Sequence, residues 1–255
     1  MTKKPRIKIC HLLLDPKTPK DVPASKWEST IGKQSTSISY FSQLASGLHA
    51  YTQQYSDVNR SELPVATCAQ PDIINHSKEF DNNPPVLSYG HYGAYMAHRR
   101  GATEEFGEHL DALLIVEGDV VSDLDPEALL AFINNAYEFG VAQGAGLITF
   151  DKLVMNNGEG NWDLVRDLGD WWSIPHFLLG SMYMILASER TNIAHKYATS
   201  GWHSPDIWLS WNFHTRCTIL APKTPVVRQL DGVSMIDYLE KEENNIMHAS
   251  GRPQI

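Results

Sequence analysis

Apolar positions recur along this chain in two rhythms, one of short unbroken runs and one of steps of three and four. Residues 6 to 14, "RIKICHLLL", form such a run and stop at Asp15-Pro16, where a proline-rich loop begins, which predicts a first strand. In "STSISYFSQLASGLHAYTQQY" the apolar residues Ile38, Phe41, Ala45 and Leu48, with Leu44 beside them, fall on one face of a predicted helix. "LPVATCA" at 63 to 69 reads as a second strand and "DNNPP" as a loop. "SYGHYGAYMAHRRGATEEF" reads as another helix, on Ala97, Ala102 and Phe106, leading to Asp111. The run "LDALLIVEGDVV" then heads from an apolar strand straight into Glu117-Gly118-Asp119.

Beyond that turn, Asp125-Pro126-Glu127 supplies an N-cap, a proline at the first helical position and an acid in the first turn. Leu129, Phe132, Ile133 and Ala136 mark an amphipathic helix stopping near Gly140, and "GAGLITF" is the next strand, closing at about Phe150. Strands alternating with helices predict an α/β fold with a mostly parallel central sheet flanked by helices on both faces. From 151 onward the regularity gives way to "NNGEGNWDLVRDLGDWWSIPH", with the composition of a binding loop. "FLLGSMYMIL" is a strand or strand-turn, "SERTNIAHKYATSG" a short helix with a serine N-cap and a closing glycine, and 241 to 255 a loosely held tail.

Composition narrows the class. A chain of 255 residues buries a substantial core as one domain, and no window reaches the roughly 18 to 20 uninterrupted apolar residues of a membrane span. A formal net charge of -9 argues against a nucleic-acid groove, since phosphate binding draws on clustered Lys and Arg. The basic start "MTKKPRIK" lacks the apolar core and cleavage site of a secretory signal, so a cytoplasmic protein is expected. Cys10, Cys68 and Cys217 are odd in number and widely spaced, which favours buried free thiols over a disulfide framework or a zinc site. No glycine-rich dinucleotide or P-loop pattern is present, which counts against an NAD or P-loop ATP enzyme.

The chemistry concentrates at the acidic turn. In open α/β sheets ligands sit beyond the carboxyl ends of the strands, where Glu117 and Asp119 would stand. Two carboxylates separated by one glycine can share a hard divalent cation that takes its remaining ligands from water and substrate phosphates, and Gly118 leaves room for a phosphate to approach the backbone. The competing reading is a solvated turn in which Asp119 and Asp123 satisfy local amides. His11, Leu13 and Asp15 follow the first strand, where a nucleotide would be cradled. Arg99 and Arg100 offset diphosphate charge or form a solvated helix face. Asp206, in "WHSPDIWLSW", is the first candidate for a base, and otherwise a helix cap; Asp170, in "LGDWWS", is the second. Trp202, Trp208 and Trp211 form either an apolar wall or stacking platform, or part of the core.

The stretch "SYGHYGAYMAHRRGATEEFGEHLDALLIVEGDVV" resembles GT-A-type glycosyltransferases, especially the family 25-like lipopolysaccharide and lipooligosaccharide sugar transferases. There a Gly-x-x-x-x-His helix, here Gly93 and His98, precedes an apolar strand ending in Glu-Asp-Asp-Val, here Glu117-Gly118-Asp119-Val120 with glycine at the middle acid. "LLGSMYMI", "SPDIWL" and "VVRQLDGVSMID" are similar, more loosely, to later elements of that family, so the likeness spans roughly residues 86 to 237. The resemblance implies a GT-A fold, with about 6 to 150 as a nucleotide-sugar-binding half and about 151 to 240 as an irregular acceptor-side half. It implies hexosyl transfer from a nucleotide-diphosphate sugar to a glycan or other hydroxyl acceptor, as in polysaccharide biosynthesis. Mn²⁺ or Mg²⁺ would bridge the diphosphate to Asp119 and Glu117, with a histidine of the far half, His203 or else His176 or His214, as third ligand. Two other classes stay open: a non-catalytic carbohydrate-binding protein, and a metal-dependent phosphoesterase or nucleotidyltransferase, which calls for a compact His/Asp cluster not evident in the chain.

Overall fold

The computed structural model of the protein describes residues 5–13, 24–46, 49–54, 89–151, 165–175, 180–200, 205–213 and 217–230. In chain order these form β1 (Ile7–Leu13), α1 (Ala24–Phe41) with a 3₁₀ turn at Ser42–Ser46, β2 (His49–Gln54), α2 (Tyr89–Glu104), β3 (Ala112–Glu117) and β4 (Val120–Val121). Then follow α3 (Pro126–Ala142), β5 (Ala145–Thr149), β6 (Arg166–Asp167), β7 (Trp171–Ile174), β8 (Met182–Leu186), α4 (Arg190–Thr199), α5 (Pro205–Phe213), β9 (Thr218–Pro222) and β10 (Arg228–Gln229). The expected α/β class holds.

Eight strands make one sheet in the order β2-β1-β3-β8-β5-β9-β7-β6. Only β8 and β7 run against their neighbours, so the other six share one direction. The sheet is therefore mostly parallel, and β8, from the second half of the chain, is threaded between β3 and β5 of the first. Helices cover both faces. On one, Cys10, Leu12, Leu113, Ile115, Tyr183 and Ile185 pack against residues of α2, α4 and α5; on the other, Ile7, Ile9, Leu114, Val116 and Met184 pack against residues of α1 and α3. With both faces covered, every residue from Ala112 to Val116 is fully buried, which is why β3 reads as an unbroken apolar run.

The start of α3 follows its sequence signals. Asp125 is extended, its Oδ1 accepts the Ala128 amide at 2.8 Å, and Pro126 opens the helix. Leu129, Ile133, Ala136 and Gly140 then face the sheet.

Three local expectations are corrected. The helix drawn through residue 55 ends at Phe41, and His49–Gln54 instead pairs in parallel with β1. A ladder partner beside β1 outweighs the weak helical pattern there. Along α1 and the 3₁₀ turn after it, Ile38 is 37% exposed while Gln34, Ser37, Phe41 and Leu44 are buried, so the inward face is turned by one residue. Ser188 does not cap α4: it lies in a 3₁₀ turn at Ala187–Glu189, and Glu189 stands at the cap, its carboxylate accepting from the Asn192 side chain and not from a main-chain amide of the first turn. The strand expected at 63–69, the closing glycine at 201 and the tail at 241–255 lie outside the described residues.

Candidate functional site at the carboxyl end of the sheet

Strands β1 and β3 end side by side, with Leu12 opposite Glu117 in the ladder, and the acidic turn leaves the sheet at that point. Gly118 makes the turn possible. A Cβ there would stand 2.9 Å from the Leu12 carbonyl oxygen and 3.1 Å from Gln34 Oε1, closer than a side chain tolerates against a fixed backbone. A glycine in place of a third acid is therefore what lets the chain cross the end of β1.

The Glu117 carboxylate is held on both oxygens. His98 Nε2 lies 3.2 Å from Oε1, and Gln229 Nε2 donates to Oε2 at 3.0 Å. A carboxylate only accepts, so His98 Nε2 carries the shared hydrogen. The other ring nitrogen of His98 sits 2.8 Å from the Tyr183 hydroxyl, and the two rings stack. Complete burial pushes the Tyr183 and Tyr197 hydroxyls well above the ordinary tyrosine pKa, so both stay protonated donors. Each Glu117 oxygen keeps a lone pair after accepting one bond.

Asp119 is more open, with its side chain 31% exposed and Lys33 Nζ 3.8 Å from Oδ2. Its main chain is pinned by the Leu230 amide, which donates to the Asp119 carbonyl at 2.8 Å, and by the short β4–β10 ladder alongside. From the other side α1 grips the same segment: the Ser37 hydroxyl donates to the Val120 carbonyl at 2.5 Å and the Tyr40 hydroxyl to the Leu124 carbonyl at 2.6 Å. His11 Nε2 is 3.0 Å from Ser37 Oγ and its ring meets Phe41 edge-on. Since the Ser37 proton goes to Val120, His11 donates to Ser37. Burial lowers the His11 pKa to about 4, against a smaller opposing pull from the main chain of Glu117.

Across β3, the Ser181 carbonyl accepts the Glu117 amide at 2.8 Å. The Ser181 hydroxyl is buried and has no hydrogen-bond partner among the described residues. Next to it a Cβ on Gly180 would lie 3.7 Å from Asp206 Cβ, so the first turn of α5 rests against the start of β8. The structure thus gathers Glu117, Gly118, Asp119, His11, Leu13 and Asp206 at one end of the sheet.

It does not gather Asp170. That residue is exposed in the β6–β7 turn, at the same end but four inter-strand spacings from β3, roughly 19 Å at the usual strand separation. Arg99 is half-buried on α2 and its charge acts on the Tyr197 hydroxyl. Trp208 is core: it is fully buried and stacks on Tyr197 at 3.8 Å between ring centroids, so it forms no sugar platform. Asp15, His176, Trp202, His203 and His214 lie outside the described residues, as does the Trp211 side chain. Cys10 and Cys217 are free thiols, each pushed up to about 12 by burial, in keeping with structural roles; Cys68 is outside the described residues.

The residues that the sequence alone did not single out are Gln229, Lys33, Ser37 and Ser181. Gln229 stood within a motif already noticed, and Ser37 could have been found as a polar residue at the helical step before Phe41 and Leu44. For Lys33 and Ser181 no sequence signal exists, because a lone lysine on a helix or a serine before a strand is commonplace.

No family model matches the chain, and no curated protein matches it. Among solved structures, a glycosyltransferase involved in glycosylation of the major capsid of PBCV-1 is 10% identical over 94% of this chain and 99% of its own, with a TM-score of 0.45. A UDP-glucose pyrophosphorylase complexed with UDP-glucose is 12% identical over 93% and 97%, with a TM-score of 0.46. A Drosophila galactosyltransferase in complex with manganese, UDP-Gal and xylobiose is 8% identical over 95% and 78%, with a TM-score of 0.42. Likeness at this level carries neither activity nor residue roles across.

Proposed function

We propose that the protein is a GT-A-type transferase that moves a hexosyl group from a nucleotide-diphosphate sugar to a glycan or other hydroxyl acceptor, of the family 25-like kind, in the cytoplasm. The observation that supports it is the acidic turn itself: Glu117 and Asp119 stand at the carboxyl ends of two adjacent parallel strands, where a cation, the Lys33 ammonium, is already drawn to Asp119. A position that holds one positive charge suits another. Among the described residues no three His, Cys, Asp or Glu side chains form a cage, so water and the diphosphate would supply most of the remaining ligands of a bound ion, a mode suited to Mn²⁺ or Mg²⁺.

Asp119 is the direct ligand in this reading, and Glu117 joins through the lone pairs left by His98 and Gln229, with His203 as a further candidate. A bound ion would supply Lewis-acid stabilisation of negative charge on a diphosphate leaving group. His11, bonded to Ser37 of α1, and Leu13, whose side chain lies against the turn at Gly118, would form the floor of the donor site, and Asp15 and Arg99 are its remaining candidate contacts. Asp206 removes the acceptor hydroxyl proton, and the Ser181 hydroxyl, unpaired among the described residues and next in sequence to the Gly180 that Asp206 packs against, offers a hydrogen bond to a sugar oxygen. Among the described residues no helix is long and apolar enough to cross a membrane.

A thermal-shift screen of nucleotide sugars with Mn²⁺ tests this. A ligand at about one hundred times its dissociation constant adds roughly 2.7 kcal/mol, which raises the midpoint by roughly 5–10 °C for a chain of this size. Asp119→Ala should abolish the metal-dependent part while the apo protein stays folded. Asp206→Asn should keep the donor shift and lose transfer by about 10²- to 10⁴-fold. A full metal-dependent shift in Asp119→Ala would refute the assignment.

A further inference from the structure

A buried histidine links the core to the acidic turn. His98 is only 1% exposed, and both of its ring nitrogens are engaged: Nδ1 lies 2.8 Å from the Tyr183 hydroxyl and Nε2 lies 3.2 Å from Glu117 Oε1. The strand register places both partners under α2. Tyr183 pairs with Ile115, and Glu117 follows Ile115 by two residues, so all three share the face that α2 covers. Gly101, one turn beyond His98, brings the helix down to that face: a Cβ there would stand 2.9 Å from Cys10 Sγ and 3.1 Å from Ile115 Cδ1. A flip of the ring would put carbons in the place of both nitrogens and lose both contacts, so the direction of the Nε2–H is fixed. The two partners differ in exposure. Tyr183 is fully buried in the core, whereas the Glu117 side chain is 27% exposed and opens on the acidic turn. Tyr183 therefore anchors the ring, and Glu117 is what the ring holds.

We propose that His98 is a positioning residue for the metal site: by holding one oxygen of Glu117 while Gln229 holds the other, it presets this carboxylate as a ligand before a divalent cation arrives. The inference rests on the reading of the site given above. A glutamate has rotatable bonds along its whole side chain, and a loose one at a strand end loses that freedom when it binds an ion. One donor on one oxygen still lets the carboxylate turn about its last bond. Donors from α2 and β10 on different oxygens stop it. Neither donor uses up its oxygen, since each keeps a lone pair for a cation. Groups that orient a ligand in this way are worth about ten- to a hundredfold in metal affinity. His98 acts through Glu117 and touches neither ion nor substrate.

The test uses the full-length protein and two variants that separate the roles of the ring nitrogens. In His98→Asn the side-chain amide sits near the place of Nδ1, so it keeps a partner for Tyr183 and falls short of Glu117. In His98→Gln it reaches the place of Nε2, so it keeps an N–H for Glu117. Binding of Mn²⁺ alone is followed by electron paramagnetic resonance, and folding by circular dichroism and thermal melts. His98→Asn should bind Mn²⁺ at least about tenfold more weakly than the parent. His98→Gln should stay within about threefold of it. A packing role would move the melting midpoints and either leave Mn²⁺ affinity alone or lower it equally in both variants. If His98→Asn does not fold, His98→Phe, which keeps the ring and its stack on Tyr183, takes its place. Mn²⁺ binding by the parent with equal binding by His98→Asn, or with equal weakening in both variants, would overturn the role of His98 alone. No Mn²⁺ binding by the parent would overturn the metal reading and the role of His98 with it.

Discussion

Lowering the pH should loosen the clamp on the acidic turn through His11. This imidazole is buried between Phe41 and Ser37, and its pKa falls from 6.5 to about 4 on folding, chiefly because burial penalises the charged ring. The sign follows from linkage. Between those two values the unfolded chain binds a proton that the folded chain refuses, so stability present above pH 6.5 is lost as pH falls toward 4. At about 1.4 kcal/mol per pKa unit the gap amounts to about 3 kcal/mol, or roughly 6–12 °C in midpoint for a chain of this size. Thermal melts of the parent and His11→Gln at half-unit steps from pH 7 to 4 measure it. Carboxylates and exposed histidines titrate in both proteins, so the difference between the two curves isolates His11. The gap between them should narrow steadily below pH 6.5 as the parent loses its advantage. Parallel curves over that range would refute the link between burial of this ring and the stability of the turn.

Gly118→Ala should destabilise the protein by about 1–3 kcal/mol, because the new methyl meets the Leu12 carbonyl oxygen at 2.9 Å and neither chain can move without disturbing the β1–β3 ladder; denaturant midpoints at constant slope check this. Cys10 and Cys217, each raised to about 12, should resist alkylation by iodoacetamide at pH 8 in the folded state and react in urea. Their contribution to stability is intact below the unfolded thiol pKa near 9 and declines as pH climbs toward 12, so alkaline melts should show the loss only above about pH 9.

The parts of this fold legible in the sequence were those where local chemistry and tertiary packing agree. The start of α3 is one: Asp125, Pro126 and Glu127 each favour a helix start, and the sheet accepts the helix where they place it. β3 is another, because a strand covered on both faces needs an unbroken apolar run and little else builds one. The C-terminal part of the predicted first helix failed for the opposite reason. His49–Gln54 has no strong local preference, and the decision fell to a free ladder beside β1 that no local pattern announces.

The acidic turn shows where sequence reading of a site stops. Glu117 and Asp119 were visible because carboxylates after an apolar run are conspicuous, yet nothing in the run reveals what else touches them and the segment that follows. His98, Gln229, Lys33 and Ser37 come from three other segments, and their partners are fixed only when α1, α2 and β10 settle against the strand end. Ser37 in particular breaks the hydrophobic rule that located its helix: it occupies a core-facing position because the Val120 carbonyl beneath it needs a donor. A pattern search that expects apolar residues on the inner face therefore assigns the face to Ile38 and turns the helix by one residue. The same search hides the polar row, Lys33 included, that brings a positive charge to Asp119. Buried polar residues at helical spacing beside a chain reversal are thus the signal to seek, since a reversal at a strand end leaves main-chain groups that only neighbouring side chains can satisfy.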